Sequence, residues 1–302
     1  MSAGYDSIPM NILKSSIFHI AEPIAKLINC SIRSGIFPDT LKIAKVCPVF
    51  KSGEKDRFEN YRPISVLPSF SKVFEKIVHI RLSNYLESCN ILSDNQYGFR
   101  KGFSSGMAIA EMCDKISSAS DKNDFSIGVF IDLSKAFDTI NHDILLRKLE
   151  HYGIRGIALN WFRSYLYNRK QFVSSNYAVS PFLSINCGVP QGSHLGPLLF
   201  LIYVADVENC SAILSFILFA DDTNLFYSSN SLFELFTTVN SELSKLSEWF
   251  CANKLSLNVK KTNYILFGNK RVPPAFSHLK IELNLMVLVS NRSSIPNSLV
   301  FT

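Results

Sequence analysis

The chain has no Cys-x-x-Cys pair, no internal repeat, no low-complexity linker and no apolar run long enough to span a bilayer. Its seven cysteines (Cys30, Cys47, Cys89, Cys113, Cys187, Cys210 and Cys251) are odd in number and scattered. That argues against a disulfide frame and fits reduced thiols in a nuclear or cytoplasmic, intracellular protein. The six histidines show no metal-ligand spacing with these cysteines, so a zinc site is not indicated. The N-terminus lacks a signal-peptide core, and no membrane partner is expected. Charge of one sign is also in short supply. Lys and Arg number 31 against 25 Asp and Glu, a net +6, which permits a nucleic-acid partner without requiring one.

What is present is apolar bulk: 302 residues, 47% hydrophobic, with 24 Phe. A chain of this size buries a large core, as one large domain or two intimate subdomains. Helical spacing marks the stretch to about Ser34, then Ser71 to Ser88, Ser105 to Ala119, Asn141 to Tyr152, Ile157 to Tyr167, Leu195 to Val207 and a long helix through Leu232 and Phe250. Phe125 to Asp132 has too few polar residues for a half-exposed strand and is expected at the centre of a sheet. Gln171 to Ser175 and Phe182 to Cys187 read as paired strands, Ser211 to Ala220 and Thr223 to Tyr227 as a hairpin, and Tyr264 to Phe267 as a last strand. A central sheet with helices on one face is an α+β architecture.

Asp221 and Asp222 end the apolar run Ser215 to Ala220, and Asp132 ends the run Phe125 to Ile131. Apolar flanks signal burial, and buried carboxylates repel one another unless a cation neutralises them. Strands ending in such carboxylates suit a hard-oxygen site for magnesium. Each motif alone also fits a plainer role. An Asp-Asp pair makes solvated turns, and Asp132 suits a helix N-cap. Between these carboxylates lies Gly188-Val189-Pro190-Gln191-Gly192-Ser193, a glycine-bracketed loop opening onto a helix, where backbone can approach a ligand closely.

Taken in order, the motifs resemble the reverse transcriptase domain of non-LTR (LINE-like) retrotransposons and, more broadly, the palm polymerases. The matching pieces run from about Pro38 to Phe267. They are Asn60-Tyr61-Arg62-Pro63-Ile64-Ser65, Gln96-Tyr97-Gly98-Phe99-Arg100-Lys101-Gly102, Phe130 to Asp138, Gly188 to Ser193, Phe219-Ala220-Asp221-Asp222 and Leu257-Asn258-Val259-Lys260-Lys261-Thr262.

The resemblance implies an α+β palm-and-fingers polymerase with an antiparallel palm sheet packed on helices. Residues 1–37 would be a helical lead-in, 38–270 the fingers and palm, and 271–302 a divergent tail without a recognisable thumb. It implies an RNA-directed DNA polymerase adding deoxynucleotides to a primer 3′-hydroxyl, with RNA template, DNA primer and dNTPs as partners. Two Mg²⁺ ions, or Mn²⁺ as substitute, would be held by Asp132, Leu133, Asp221 and Asp222. Phe137, five residues after Asp132, would exclude a ribose 2′-hydroxyl; it also reads as a core Phe. Lys51 and Arg62 would contact the triphosphate, although surface charges are the commoner fate of such residues. Pro190, Gln191 and Gly192 would shape the nucleotide pocket. Lys261 would donate a proton to pyrophosphate. Arg100, Lys101, Arg163, Arg169 and Lys170 are candidates for nucleic-acid backbone contacts.

The chain departs from the family at Ala205, where Asn is expected, at His194, where an aliphatic residue is common, and after Lys270. A truncation or frame change there is the expectation. The competing reading is a catalytically inactive remnant that at most binds nucleic acid. A nucleotide cyclase on a similar palm leaves the fingers motifs unexplained. Nothing in the sequence sets the oligomeric state.

Overall fold

The computed structural model describes residues 3–174 and 178–268. In chain order the elements are α1 (Met10–Ser15), α2 (Ile17–Ser34), β1 (Ile43–Phe50), β2 (Tyr61–Val66), α3 (Ser69–Ser88), α4 (Ser105–Asp121), β3 (Phe125–Ile131), α5 (His142–His151), α6 (Gly156–Leu166), β4 (Arg169–Val173), β5 (Leu183–Ile185), α7 (Leu195–Val204), β6 (Ser215–Phe219), β7 (Asp222–Ser229), α8 (Leu232–Ala252) and β8 (Asn263–Phe267). The described residues form two units, one built from residues 3–92 and 137–203, the other from 93–136 and 204–268.

The first unit carries a sheet of order β2-β1-β4-β5. β1 runs antiparallel to β2, from Lys45↔Val66 to Phe50↔Tyr61, and parallel to β4, from Ile43↔Lys170 to Val46↔Val173. The parallel pair needs a long crossover, and the chain between β1 and β4 supplies it. Helix α2 ends where Gly35 takes φ +68, a left-handed C-cap whose N–H donates to Ser31 O. Helix α6 packs on α2 and α5. Fully buried Phe37 lies edge-on to Phe74, Trp161 and Tyr165 at centroid distances of 6.1, 5.4 and 5.1 Å. Asn141 accepts from Ile144 N at 3.0 Å and so sets the start of α5.

The second unit carries an antiparallel sheet of order β6-β7-β3-β8. β3 lies between two neighbours, as its unbroken apolar run implies. Both of its faces are covered, which differs from the expected single helical layer. Phe130, with Ile217 and Phe226, faces a cluster that includes Ala108, Met112 and Ile116 of α4. Across the opposite parity, Tyr264 pairs in register with Val129 and meets Phe236 of α8 edge-on at 6.4 Å. The physical reason is in β3 itself, where residues of both parities are apolar, so one layer would leave half of them wet. Helix α8 buries Leu235, Val239, Leu243, Leu246 and Phe250 along one stripe, and Ser231 caps it by accepting from Glu234 N.

The tail expected from residue 271 onward, and the question of a thumb, lie outside the described residues. Among the described residues no helix is long and apolar enough to cross a membrane, and all seven cysteines are free.

Candidate active site

In the second unit, Asp132 follows the last residue of β3 and Asp222 opens β7. Ile131 pairs with Thr223, so the two carboxylates emerge from adjacent strands at one end of the sheet. Phe219 pairs with Asp222, which leaves Ala220 and Asp221 as a two-residue hairpin tip. Ala220 has φ +57, the positive φ at the first loop position that matches hairpin twist. Asp222 therefore belongs to the strand and not to the turn.

The acidic pair is less buried than its apolar flanks suggest: Asp221 is half-buried and Asp222 exposed. The sheet end opens to solvent there, and the apolar run stops with the strand. The carboxylates nevertheless feel one another. Partial desolvation pushes the Asp222 carboxyl up from its ordinary range, the charges of Asp221 and Asp132 add to that, and Lys261 opposes it. Asp132 is not a helix N-cap, because the residues after it form turns.

The Leu257–Thr262 motif closes on Asp132. Lys261 Nζ lies 3.1 Å from Asp132 Oδ2, and Asn258 Nδ2 donates to the same oxygen at 3.4 Å. Asn258 N donates to Asp132 O at 2.8 Å, and Leu133 bridges to Leu257. Lys261, chosen over its neighbour Lys260 on motif spacing, is thus the lysine beside the carboxylate. Among the described residues no three acidic, His or Cys side chains are gathered closely enough to grip one ion as they stand. The donor set still fits a hard divalent cation: several carboxylate oxygens, mutually repelling, at the open end of a rigid sheet.

The residues expected to meet the nucleotide lie in the first unit. Lys51 and Arg62 are exposed at the same end of the β1–β2 pair. Arg62 sits opposite Val49, and Lys51 N donates to Asn60 O at 2.8 Å. The Gly188–Ser193 loop is clamped on two sides. On one side Gly188 N donates to Ile140 O at 2.7 Å, Val189 N to Phe137 O at 2.9 Å, and Gln191 Nε2 to both oxygens of Asp138 at 3.0 and 3.1 Å. On the other, Ser65 N donates to Gln191 O at 2.7 Å. Gly188 has φ +81, and a Cβ there would lie 2.7 Å from Asp138 O, so glycine is required. This loop brings Phe137, Pro190, Gln191 and Gly192 together. Phe137 is half-buried and stacks on Phe200 with centroids 4.9 Å apart.

Two arginines expected to contact a nucleic-acid backbone are internal. Arg169 is fully buried, and its Nη1 donates to Tyr165 O at 3.1 Å. The negative charge acting on it is that of fully buried Glu75, which makes no direct ion pair with it and accepts from His194 N at 2.7 Å, Tyr165 Oη at 3.1 Å and Ser71 Oγ at 3.3 Å. Burial pushes the Glu75 carboxyl up even though Arg169 and these donors pull it down. The Arg100 side chain is only 5% exposed, donates to Ser93 O and covers the Phe103 ring. Sequence reading missed Asp138, Glu75 and Asn258. Asp138 and Asn258 stood inside quoted motifs, but the partner of Glu75 is far away in sequence and nothing local signals it.

Comparison with known proteins bears on the family and the fold. The family model described as reverse transcriptase (RNA-dependent DNA polymerase) matches residues 51–286. The chain is 31% identical over 297 residues to the probable RNA-directed DNA polymerase from transposon BS of Drosophila melanogaster, covering 93% of this chain and 32% of that protein. It is 27% identical over 251 residues to the RNA-directed DNA polymerase from mobile element jockey of Drosophila funebris, covering 80% and 27%. The chain thus spans about a third of the length of the curated relatives it matches. Among solved structures, the apo telomerase of Candida tropicalis truncated from its C-terminal domain superposes with a TM-score of 0.54 at 12% identity, over 78% of this chain and 52% of that one, a likeness of fold. The chain belongs to the reverse transcriptase (RNA-dependent DNA polymerase) family, in its non-LTR retrotransposon branch.

Proposed function

We propose that this chain is the fingers-and-palm part of an RNA-directed DNA polymerase that adds deoxynucleotides to a primer 3′-hydroxyl on an RNA template. The observation that carries this reading is the placement of Asp132, Asp221 and Asp222, from distant parts of the chain, at one sheet end by β3 and the β6–β7 hairpin, with Asp222 feeling the charges of the other two. These carboxylates, with Leu133 beside Asp132, would hold Mg²⁺, two ions in the reading we favour. Divalent ions bound there supply charge neutralisation for the triphosphate and acidify the primer hydroxyl.

The chain's own residues do the rest. The β3–β7 pairing holds the backbones of Asp132 and Asp222 on adjacent strands, so gathering their carboxylates on a cation would need side-chain rotation and no refolding. Lys261 is a cation beside Asp132 and is the proposed proton donor to the leaving pyrophosphate. Arg62 and Lys51 present exposed cations suited to phosphate oxygens. Phe137, held by stacking on Phe200, is the proposed steric check on the sugar 2′ position. Asp138 holds the Gln191 amide in one orientation within the loop proposed to line the nucleotide. The scattered free cysteines support a reducing, nuclear or cytoplasmic location.

Primer extension on an RNA template with Mg²⁺, run beside Asp221→Asn, tests the reading. Extension that the variant abolishes is expected. Template–primer binding without extension by the wild type would instead identify an inactive remnant.

A further inference from the structure

β6 is the outer strand of its sheet, yet its free edge is covered. The stretch Asn95–Gly98 runs beside it: Leu218 N donates to Asn95 O at 2.8 Å, and Tyr97 N donates to Leu218 O at 2.8 Å. The next donor along that edge is Ala220 N, at the hairpin tip. There the strip passes so closely that a Cβ on Gly98 would collide with the Ala220 nitrogen, and that nitrogen is taken by a side chain in place of a backbone carbonyl. Gln96 supplies the missing acceptor. Its Oε1 takes Ala220 N at 3.0 Å and Gly98 N at 2.8 Å.

Gln96 is 4% exposed, and its Nε2 has no hydrogen-bond partner. A buried donor left unpaired is destabilising, so an apolar side chain would serve packing better. What the amide gains is its oxygen. The strip is itself tied down, with Ser93 Oγ and Asn95 Nδ2 donating to Glu208 at 2.6 and 3.2 Å. The residue it holds, Ala220, sits in the left-handed region that alanine disfavours and directly precedes Asp221. Released from this bond, the tip relaxes and Asp221 turns with it.

We propose that Gln96 is a positioning residue for the acidic hairpin: through Ala220 N it locks the left-handed tip that aims Asp221 at the divalent cation. The inference rests on the metal-binding reading of Asp132, Asp221 and Asp222.

The test measures Mn²⁺ binding to the full chain by electron paramagnetic resonance, without nucleotide or nucleic acid. Gln96→Met keeps length and removes the acceptor. It should weaken Mn²⁺ binding by ~10–100-fold, the usual range for an outer-sphere support of a metal ligand. Adding Ala220→Gly should restore affinity to within about twofold, because glycine adopts the left-handed tip unaided. Should Gln96→Met fail to fold by circular dichroism, Gln96→Asn, one carbon too short to reach Ala220, carries the same expectation with a smaller loss. Unchanged affinity in a folded variant overturns the proposal. So does a loss that Ala220→Gly does not restore, since that assigns Gln96 to general packing. If Asp221→Asn leaves wild-type Mn²⁺ binding intact, the carboxylate reading itself falls, and the proposal falls with it for that separate reason.

Discussion

Replacing Glu75 by Met isolates a fully buried guanidinium. In the native unit Arg169 has Glu75 as counter-charge, one bond to Tyr165 O and the Tyr165 ring 4.8 Å from its guanidinium carbon, while Nε and Nη2 lack hydrogen-bond partners. The two act on each other by charge without a direct ion pair, so losing Glu75 should cost less than the about 3–5 kcal/mol of breaking a bonded buried pair from one side. Orphaning His194 N adds roughly 1–3 kcal/mol where solvent cannot reach it. Arg169→Met should cost less, because Glu75 can take up a proton whereas a guanidinium cannot discard one. The double variant decides the physics. Burial already pushes Glu75 upward against the pull of Arg169, so desolvation outweighs attraction in this pair. Two apolar side chains should therefore be tolerated far better than the single changes add up to. Urea unfolding followed by Trp161, which stacks on Tyr165 at 5.7 Å, reports on this unit once Trp249 is changed to Phe. A Glu75→Met cost below about 1 kcal/mol, or a double variant as unstable as the summed singles, would refute the reasoning.

The same glutamate sets a pH dependence. Its folded pKa lies above 4.5, so the folded state holds the proton longer than the unfolded one. The stability this contributes is complete below 4.5 and is lost as pH rises through the folded value, so the wild type should lose stability relative to Glu75→Gln across that window in urea titrations at stepped pH. Gly188→Ala forces a left-handed alanine against the Asp138 backbone and should destabilise by about 2–4 kcal/mol from strain and strained hydrogen bonds, measured by thermal unfolding. Phe137→Ala should admit ribonucleotides in primer extension; unchanged sugar discrimination removes that role. Asp138→Ala frees the Gln191 amide and should raise the nucleotide KM more than it lowers kcat, read from steady-state extension.

Much of the scaffold was legible along the chain because its signals are local. The apolar run of β3, the stripe of α8 and the start of α5 at Asn141 each depend on neighbours within a few residues. The parallel β1–β4 pairing was not legible, since it joins strands separated by four helices and the strands β2 and β3. Nor was the second helical layer, because an all-apolar strand says that both faces are dry without saying what dries them. At the candidate site the acidic residues and the order of motifs were readable, while their degree of exposure was not. Arg100 and Arg169 show the limit most plainly. A charged residue looks like surface until its partners are known, and the partners of Arg169 come from another element altogether.

β3 has a neighbour on each side and a helix over each face, and Asp132 is attached to its end. Backbone amides in such a strand exchange with solvent only when the whole unit opens. The Asp132 carboxylate at its tip is therefore moored to the part of its unit expected to melt last. Warming that loosens surface loops should leave the geometry around Asp132 intact, and catalytic loss on heating should track global denaturation instead of preceding it.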